Sequence, residues 1–350
     1  MMQRKVNWKR FVFLFIFGVC SYNCFSQDTI KIDTAFFTDN DIPYETQVLY
    51  SKYISNRLGA KVKRVANESS IYVGRMDYGE NIDIIEEIGD WVGIRVHNHQ
   101  IIKNSKGEFE RIAWEKFYVR VKDIGESNEI KLDSSDVYIA DIYKNDKVVP
   151  FNAGEFFSIE LVSKKEYEDR LRDKVEFVIY DTLSHIKENG KLTLKTKKGD
   201  IELVDTLSED TDSKIHYYVG QIPQLNKYIV KRELYEYQDN LFIDKTTGEI
   251  TYTNYETYLS SDKKYVVAFY IDPYDVSTSI QLYEVKDKRN LNLITEFSFT
   301  KFMLLYDKVN YFTNDNYLYL AINSPSTYFQ NYENNLDDFQ YIKIKILKKK

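Results

Sequence analysis

Three segments in the last third of this chain follow one pattern: a strand rich in aromatic and β-branched residues, a polar turn, then a second strand ending in charge. The first runs from Lys227-Tyr228-Ile229-Val230 to Leu241-Phe242-Ile243-Asp244. The second runs from Lys264-Tyr265-Val266-Val267 to Ile280-Gln281-Leu282-Tyr283-Glu284-Val285, and the third from Tyr317-Leu318-Tyr319-Leu320 to Tyr341-Ile342-Lys343-Ile344. Tyr228, Tyr265 and Tyr317 stand 37 and 52 residues apart. A period near 40 with several strands per unit limits the chain to stacked antiparallel sheets. Thirty tyrosines and 21 phenylalanines against five prolines agree with a mainly β fold, because aromatic side chains suit a pleated, half-buried surface.

The turns inside the pattern carry a resemblance. Asp244-Lys245-Thr246-Thr247-Gly248-Glu249 and Leu259-Ser260-Ser261-Asp262-Lys263-Lys264-Tyr265 are similar to turns of WD40-like β-propeller repeats. In those repeats an Asp-x-x-Thr-Gly turn precedes a Ser-x-Asp-Gly-Lys turn; here Lys263 stands where the family has Gly. The resemblance implies propeller-like sheets over residues 181–350. A closed propeller takes at least four blades, about 160 residues at this period. The 170 residues available allow four compressed blades or an open stack of two or three sheets.

At the other end, Met1 to Arg10 is basic without an acid, and an apolar run follows from Phe11 to Cys20. Ten apolar residues are too few to cross a bilayer, which takes about 20. A basic flank, a short apolar core and Cys24-Phe25-Ser26 before Gln27 describe a secretory signal peptide over residues 1–26. Cys20 follows Phe17-Gly18-Val19 and Cys24 follows Ser21-Tyr22-Asn23, so neither matches a lipoprotein signal well. A periplasmic or secreted protein is expected, with an outer-membrane lipoprotein as the alternative. Cleavage after Ser26 removes both cysteines, and with them disulfides, thiolate nucleophiles and zinc–thiolate sites. Four basic residues also go, leaving 44 Lys+Arg against 54 Asp+Glu, a charge of −10 that argues against nucleic-acid binding.

Residues 27–59 form an N-terminal segment in which Tyr44, Val48, Leu49, Tyr53, Ile54 and Leu58 recur at helical spacing. Pro43 at its start and Gly59 at its end predict a helix over about 44–56. From Ala60 the period drops to two: Lys61 to Val65 and Ser70 to Val73 read as strands. Asn81 to Ile88 and Trp91 to Val96 form a hairpin turning at Gly89-Asp90.

The run Tyr78-Gly79-Glu80-Asn81 through Asp90-Trp91-Val92-Gly93-Ile94-Arg95-Val96 resembles the central strands of bacterial SH3-like (SH3b) domains. Ile112-Ala113-Trp114-Glu115-Lys116-Phe117-Tyr118-Val119 resembles that family's closing Gly-Trp-Val segment, with Ala113 in place of Gly and an inserted loop from His97 to Arg111. The resemblance covers residues 60–126 and implies a small barrel whose aromatic groove takes extended peptides or cell-wall fragments. It places Tyr72, Tyr78, Trp91 and Trp114 at that groove. Trp91 opens a hairpin arm and so has a core position as its plainer reading, whereas Tyr78, on a turn, is the expected exposed contact.

Residues 127–180 read as a connection with a strand at Val137 to Tyr143. Ser163-Lys164-Lys165-Glu166 is a capping box that starts a helix through Asp173. Lys164/Glu168 and Glu166/Arg170 are spaced to pair on its outside. Gly190 to Lys195 and Ile201 to Asp205 form a hairpin around Lys197-Lys198-Gly199-Asp200.

Catalytic signatures are sparse. His97 and His99 share a strand face and could meet one metal, but no third ligand is placed by spacing. His185 and His216 lie apart from any Gly-x-Ser-x-Gly elbow. The acidic clusters Asp39/Asp41, Glu209/Asp210/Asp212 and Glu333/Asp337/Asp338 lack the order of a calcium loop. No cofactor or metal is therefore expected. The expected function is an exported cell-envelope binding protein whose partner is a cell-wall fragment, a peptide or an envelope protein. The alternative is a secreted hydrolase using carboxylates or histidines on a propeller-like face.

Overall fold

The computed structural model describes residues 40–104, 107–145, 147–208, 212–235, 237–272, 276–305, 307–328 and 339–347. The expected signal peptide with Cys20 and Cys24, and Asp39, Glu209, Asp210, Glu333, Asp337 and Asp338 of the acidic clusters, lie outside the described residues. The fold is mainly β, in several antiparallel sheets.

The N-terminal unit is one sheet built from β1 (Asp41–Ile42), β2 (Tyr50–Ile54), β3 (Ala60–Lys63), β4 (Tyr72–Met76), β5 (Asn81–Ile88), β6 (Trp91–Asn104), β7 (Gly107–Arg120) and β8 (Ile124–Gly125). Its order is β4-β3-β7-β6-β5-β2-β8, with β1 added to β7. Alternation decides the two faces: Ile82 and Ile84, then Val92, Ile94 and Val96, then Phe117 and Val119 close around one core, leaving the residues between them on the outer face. Gly89 turns the β5–β6 hairpin with φ of +58°, as its sequence predicts.

Two expectations for this unit fail. The helix over 44–56 is instead the strand β2, in register Tyr50↔Ile84 and Tyr53↔Asn81. Pairing buries Tyr53 and Ile54 at 3% and 0% exposure, whereas the supposed helical stripe at Tyr44, Leu49 and Leu58 remains open at 69%, 52% and 76%. The local period lost to the tertiary pairing. The second failure is the loop from His97 to Arg111: the described backbone there, to Asn104 and from Gly107, is strand, and β6 and β7 pair from Trp91↔Arg120 to Asn104↔Gly107.

The remaining elements are β9 (Ile139–Lys144), β10 (Lys147–Asn152), β11 (Phe157–Val162), α1 (Lys164–Arg170), β12 (Lys174–Val175), β13 (Lys191–Thr196), β14 (Gly199–Val204), β15 (Lys214–Ile222), β16 (Lys227–Leu234), β17 (Gln238–Asp244), β18 (Ile250–Asn254), β19 (Glu256–Leu259), β20 (Tyr265–Asp272), β21 (Ser277–Lys286), β22 (Asn290–Phe299), β23 (Met303–Leu304), β24 (Tyr311–Thr313), β25 (Tyr317–Asn323) and β26 (Gln340–Ile346). They make four sheets: β13-β14, β15-β16-β17-β18, β10-β9-β22-β21-β20-β19, and β11-β26-β25-β24-β12 with β23 on β25. The three repeat segments are the antiparallel pairs β16–β17, β20–β21 and β25–β26. The segment read as a connection is built into the sheets, β9 on β22, β11 on β26 and β12 on β24.

The sheets lie face on face, and their strand sequences follow from it. In β20, Val266 and Ala268 pack with Ile229 and Phe242 of the sheet on one side. Val267 and Phe269 pack with Leu318, Leu320 and Ile342 on the other. Strands buried on both faces lose polar–apolar alternation, which is why Tyr265 to Tyr270 and Tyr317 to Ile322 read as unbroken apolar runs. At one end Leu192 and Leu194 of the β13–β14 hairpin cover Val230, Leu241 and Ile243. At the other end Tyr167 of α1 covers Tyr311, Tyr319 and Tyr341. Among the described residues no buried cluster joins these two ends.

The helix α1 is shorter than expected, giving way to a 3-10 turn at Leu171–Asp173. Ser163 caps it by accepting from the Glu166 N–H at 3.1 Å. The Glu166 carboxylate faces the sheet, 3.2 Å from the Tyr319 hydroxyl and 3.3 Å from Lys343 Nζ. Lys165 and Asp169 pair on the outside of this helix.

Candidate functional site

The outer face of the β5–β6–β7 ribbon gathers the polar and aromatic side chains of the N-terminal unit. Four rows cross it. Trp91 lies opposite Arg120; Gly93 lies between Glu86 and Tyr118; Arg95 lies between Asp83 and Lys116; His97 lies opposite Trp114. Six residues separate the first row from the last, about 20 Å at strand rise.

The near end is sealed. Trp91 is 6% exposed, with the Arg120 guanidinium 4.3 Å from its ring centre and Arg120 held by Glu68 and Asp90. In the next row Gly93 is required by its neighbour, since a Cβ there would fall 2.6 Å from Glu86 Cγ. Glu86 therefore lies across the strand, accepts from Tyr118 and pairs with Lys116 at 2.8 Å. Partial burial opposes its ionisation, but the hydrogen bonds from Lys116 and Tyr118 outweigh it and hold the carboxyl below its ordinary value.

The far end is open. Trp114, half-buried, carries the Arg95 guanidinium 4.4 Å from its ring centre, His97 at 4.8 Å and Tyr44 at 6.1 Å. Arg95 is fixed by Asp83 at 2.8 Å and reaches the Tyr44 carbonyl at 3.5 Å, while its Nε is buried without a hydrogen-bond partner. The segment before β2, expected as helix, instead brings the exposed Tyr44 over Trp114. A planar cation stacked on indole, a second aromatic face and an imidazole make a surface suited to a planar or anionic group on a flexible ligand.

Of the four residues the sequence nominates, three share this outer face and one does not. Tyr72, 55% exposed, lies in the row of Tyr118, one strand beyond Lys63. Trp91 and Trp114 mark the two ends. Tyr78 belongs elsewhere: its hydroxyl donates to the Lys131 carbonyl at 3.0 Å and accepts from the Lys131 N–H at 2.6 Å, with Arg57 stacked 4.1 Å from its ring. It ties the N-terminal sheet to the chain leading into the stack. Arg95 and Tyr44 were missed. Alternation opposite Val92, Ile94 and Val96 already places Arg95 on the outer face, but nothing local to Tyr44 announces that it crosses Trp114. His97 and His99 do share a face, and His97 is spent on Trp114; no group of three metal-ligating side chains occurs among the described residues.

Comparison with family models, with curated proteins and with solved structures finds no match for this chain.

Proposed function

We propose that this chain is an exported cell-envelope protein that acts by binding, and that its N-terminal sheet holds an extended peptide, such as the peptide stem of a cell-wall fragment, across Trp114. The observation that carries the reading is the open cluster of Trp114, Arg95, His97 and Tyr44 at one end of a face whose other tryptophan is sealed. The resemblance of residues 60–126 to SH3-like domains supports the same ligand class. Arg95 supplies a cation already oriented by Asp83, matched to a ligand carboxylate, and the aromatic rings supply area at little conformational cost.

Retention on purified cell wall and titration with soluble stem peptides test the proposal. Trp114→Ala is expected to weaken binding at least tenfold, about 1.4 kcal/mol, while Trp91→Phe and Tyr78→Phe leave it unchanged. Equal retention of Trp114→Ala and the parent chain would sink the reading. The hydrolase alternative has less support: His216, 3.3 Å from Asp205, is 5% exposed, and His185 packs on Tyr218 and Tyr228.

A further inference from the structure

The chain is acidic as a whole, 54 Asp+Glu against 48 Lys+Arg, yet one hairpin reverses the sign. Ala60, Val62, Val73 and Met76 of β3 and β4 enter the core, so Lys61, Lys63, Tyr72 and Arg75 lie on the outer face. Lys61 and Arg75 stand directly opposite each other, a like-charge pair that costs the hairpin stability. Arg120 of β7 shares this face, two residues beyond the Tyr118 that pairs with Lys63, and the exposed Lys122 follows it in the next turn.

Few carboxylates answer these cations. Arg120 is held by Glu68 at 3.1 Å and Asp90 at 3.4 Å. Lys63 donates to the Glu68 and Ser70 carbonyls, both at 3.0 Å, and Arg75 donates to the Leu58 carbonyl. Among the described residues neither Lys61 nor Arg75 pairs with a carboxylate. The hydrogen bond from Arg120, joined by the charges of Arg120, Lys63 and Lys122, holds the Glu68 carboxyl below its ordinary value, as expected of one acid among several cations.

The tip of the same hairpin is apolar. Val65 and Ile71 are each 51% exposed, and Tyr72 is 55% exposed. Edge strands carry lysines to deter pairing with other chains. That purpose does not call for two opposed like charges, and aliphatic side chains left open at the same end work against it. Cations ringing an exposed aliphatic and aromatic tip suit a boundary between charged headgroups and hydrocarbon.

We propose that the β3–β4 hairpin docks on an anionic lipid bilayer, with Lys61, Lys63 and Arg75 against the headgroups and Val65, Ile71 and Tyr72 at the acyl boundary. The apolar tip decides the partner. A soluble phosphate polymer would engage the cations alone, whereas a bilayer also takes Val65 and Ile71 out of water. The negative charge of the rest of the chain is repelled by the same surface, so the hairpin sets orientation as well as attachment. Arg120 belongs to the sealed row of the outer face, so the patch lies at the opposite end of that face from Trp114.

The test is cosedimentation with vesicles of phosphatidylcholine alone, or of phosphatidylcholine and phosphatidylglycerol in equal parts. It uses the chain from Gln27, so that the apolar run Phe11 to Cys20 cannot itself enter a bilayer. Binding is expected to the mixed vesicles only, and to be lost at about 1 M salt, where screening acts within about 3 Å. Lys61→Glu is expected to lower the bound-to-free ratio about tenfold. Its denaturation midpoint should stay at or above the parent's, because Glu then faces Arg75 as an opposite charge. Ile71→Ser combined with Tyr72→Ser is expected to lower the ratio about fivefold. Absent binding to the mixed vesicles, equal binding to both kinds, or binding that survives high salt overturns the proposal, and so does an unchanged ratio for Lys61→Glu. An unchanged ratio for the Ile71 and Tyr72 variant overturns it too, since the surface would then read phosphate without meeting the bilayer.

Discussion

Lys227 and Asp244 face each other at 3.4 Å with both side chains only 2% exposed, and their setting explains why a charged pair survives there. Asp244 also accepts from the Thr246 and Thr247 N–H groups at 2.8 and 2.9 Å, so it organises the turn that the Asp-x-x-Thr-Gly pattern announced. Burial works against its ionisation, yet the two backbone donors and Lys227 together hold the carboxyl below its ordinary value. Asp244→Ala strands Lys227 and two N–H groups, and should cost about 3–5 kcal/mol in denaturant titration. Because the folded value is the depressed one, Asp244 stabilises fully above the unfolded carboxylate value, near 4. That contribution disappears as pH falls through the lower folded value. Asp244→Asn should therefore flatten stability against pH in that acid range. The turn was legible because its determinants sit within five residues. The partner Lys227 was not, since its place beside Asp244 exists only once β16 and β17 are in register. Tyr78 divides in the same way: its turn was legible, but its partner Lys131 lies 53 residues away.

At the scale of elements, the Ser260-to-Tyr265 turn shows how the repeat tolerates a departure from its resemblance. Ser260 Oγ accepts from the Lys264 and Tyr265 N–H groups, and Lys263 takes φ of +60°, the left-handed conformation that Gly adopts without strain. Its ammonium lies 5.5 Å from the Phe177 ring, a contact that offsets part of that strain. Lys263→Gly should raise stability by about 0.5 kcal/mol, read as a higher denaturation midpoint with an unchanged slope. The three aromatic strand pairs were legible because burial on both faces writes long apolar runs into β20 and β25. The outward half of the β6–β7 ribbon was not. Beyond Val96 it leaves the core behind, so polar residues there carry no period that distinguishes a strand from a loop. The misread helix has the opposite cause: a good helical period at Tyr44 to Leu58 was outweighed by pairing with β5 and β8 that no local pattern encodes.

For the whole molecule, the junction decides whether two units behave as one. Tyr78 bridges Lys131, Arg57 reaches Asp136 at 2.7 Å, and the Gln340 amide bonds both polar groups of Leu132, at 2.6 and 3.0 Å. Gly79 lies against Ser326 of the stack, where a Cβ would come within 2.9 Å of its Oγ. Tyr78→Phe leaves the Lys131 groups without this partner, a loss of about 1–3 kcal/mol. Trp91 and Trp114 both report from the N-terminal sheet. Their fluorescence midpoint should fall by several degrees while the far-ultraviolet transition of the stack stays in place; equal movement of the two would show the junction to be energetically uniform with the cores. One further property follows from the pairing of β11 with β26, in register from Phe157↔Ile346 to Val162↔Tyr341. These partners are separated by nearly the whole second half of the chain, so β11 cannot join this sheet until β26 is in place, and closing so long a loop is slow. During that wait β11 and β25 present unpaired edges to any neighbouring chain. The vulnerable moment for this protein is thus the interval before its C-terminal strand arrives, when a holding chaperone would have most to protect.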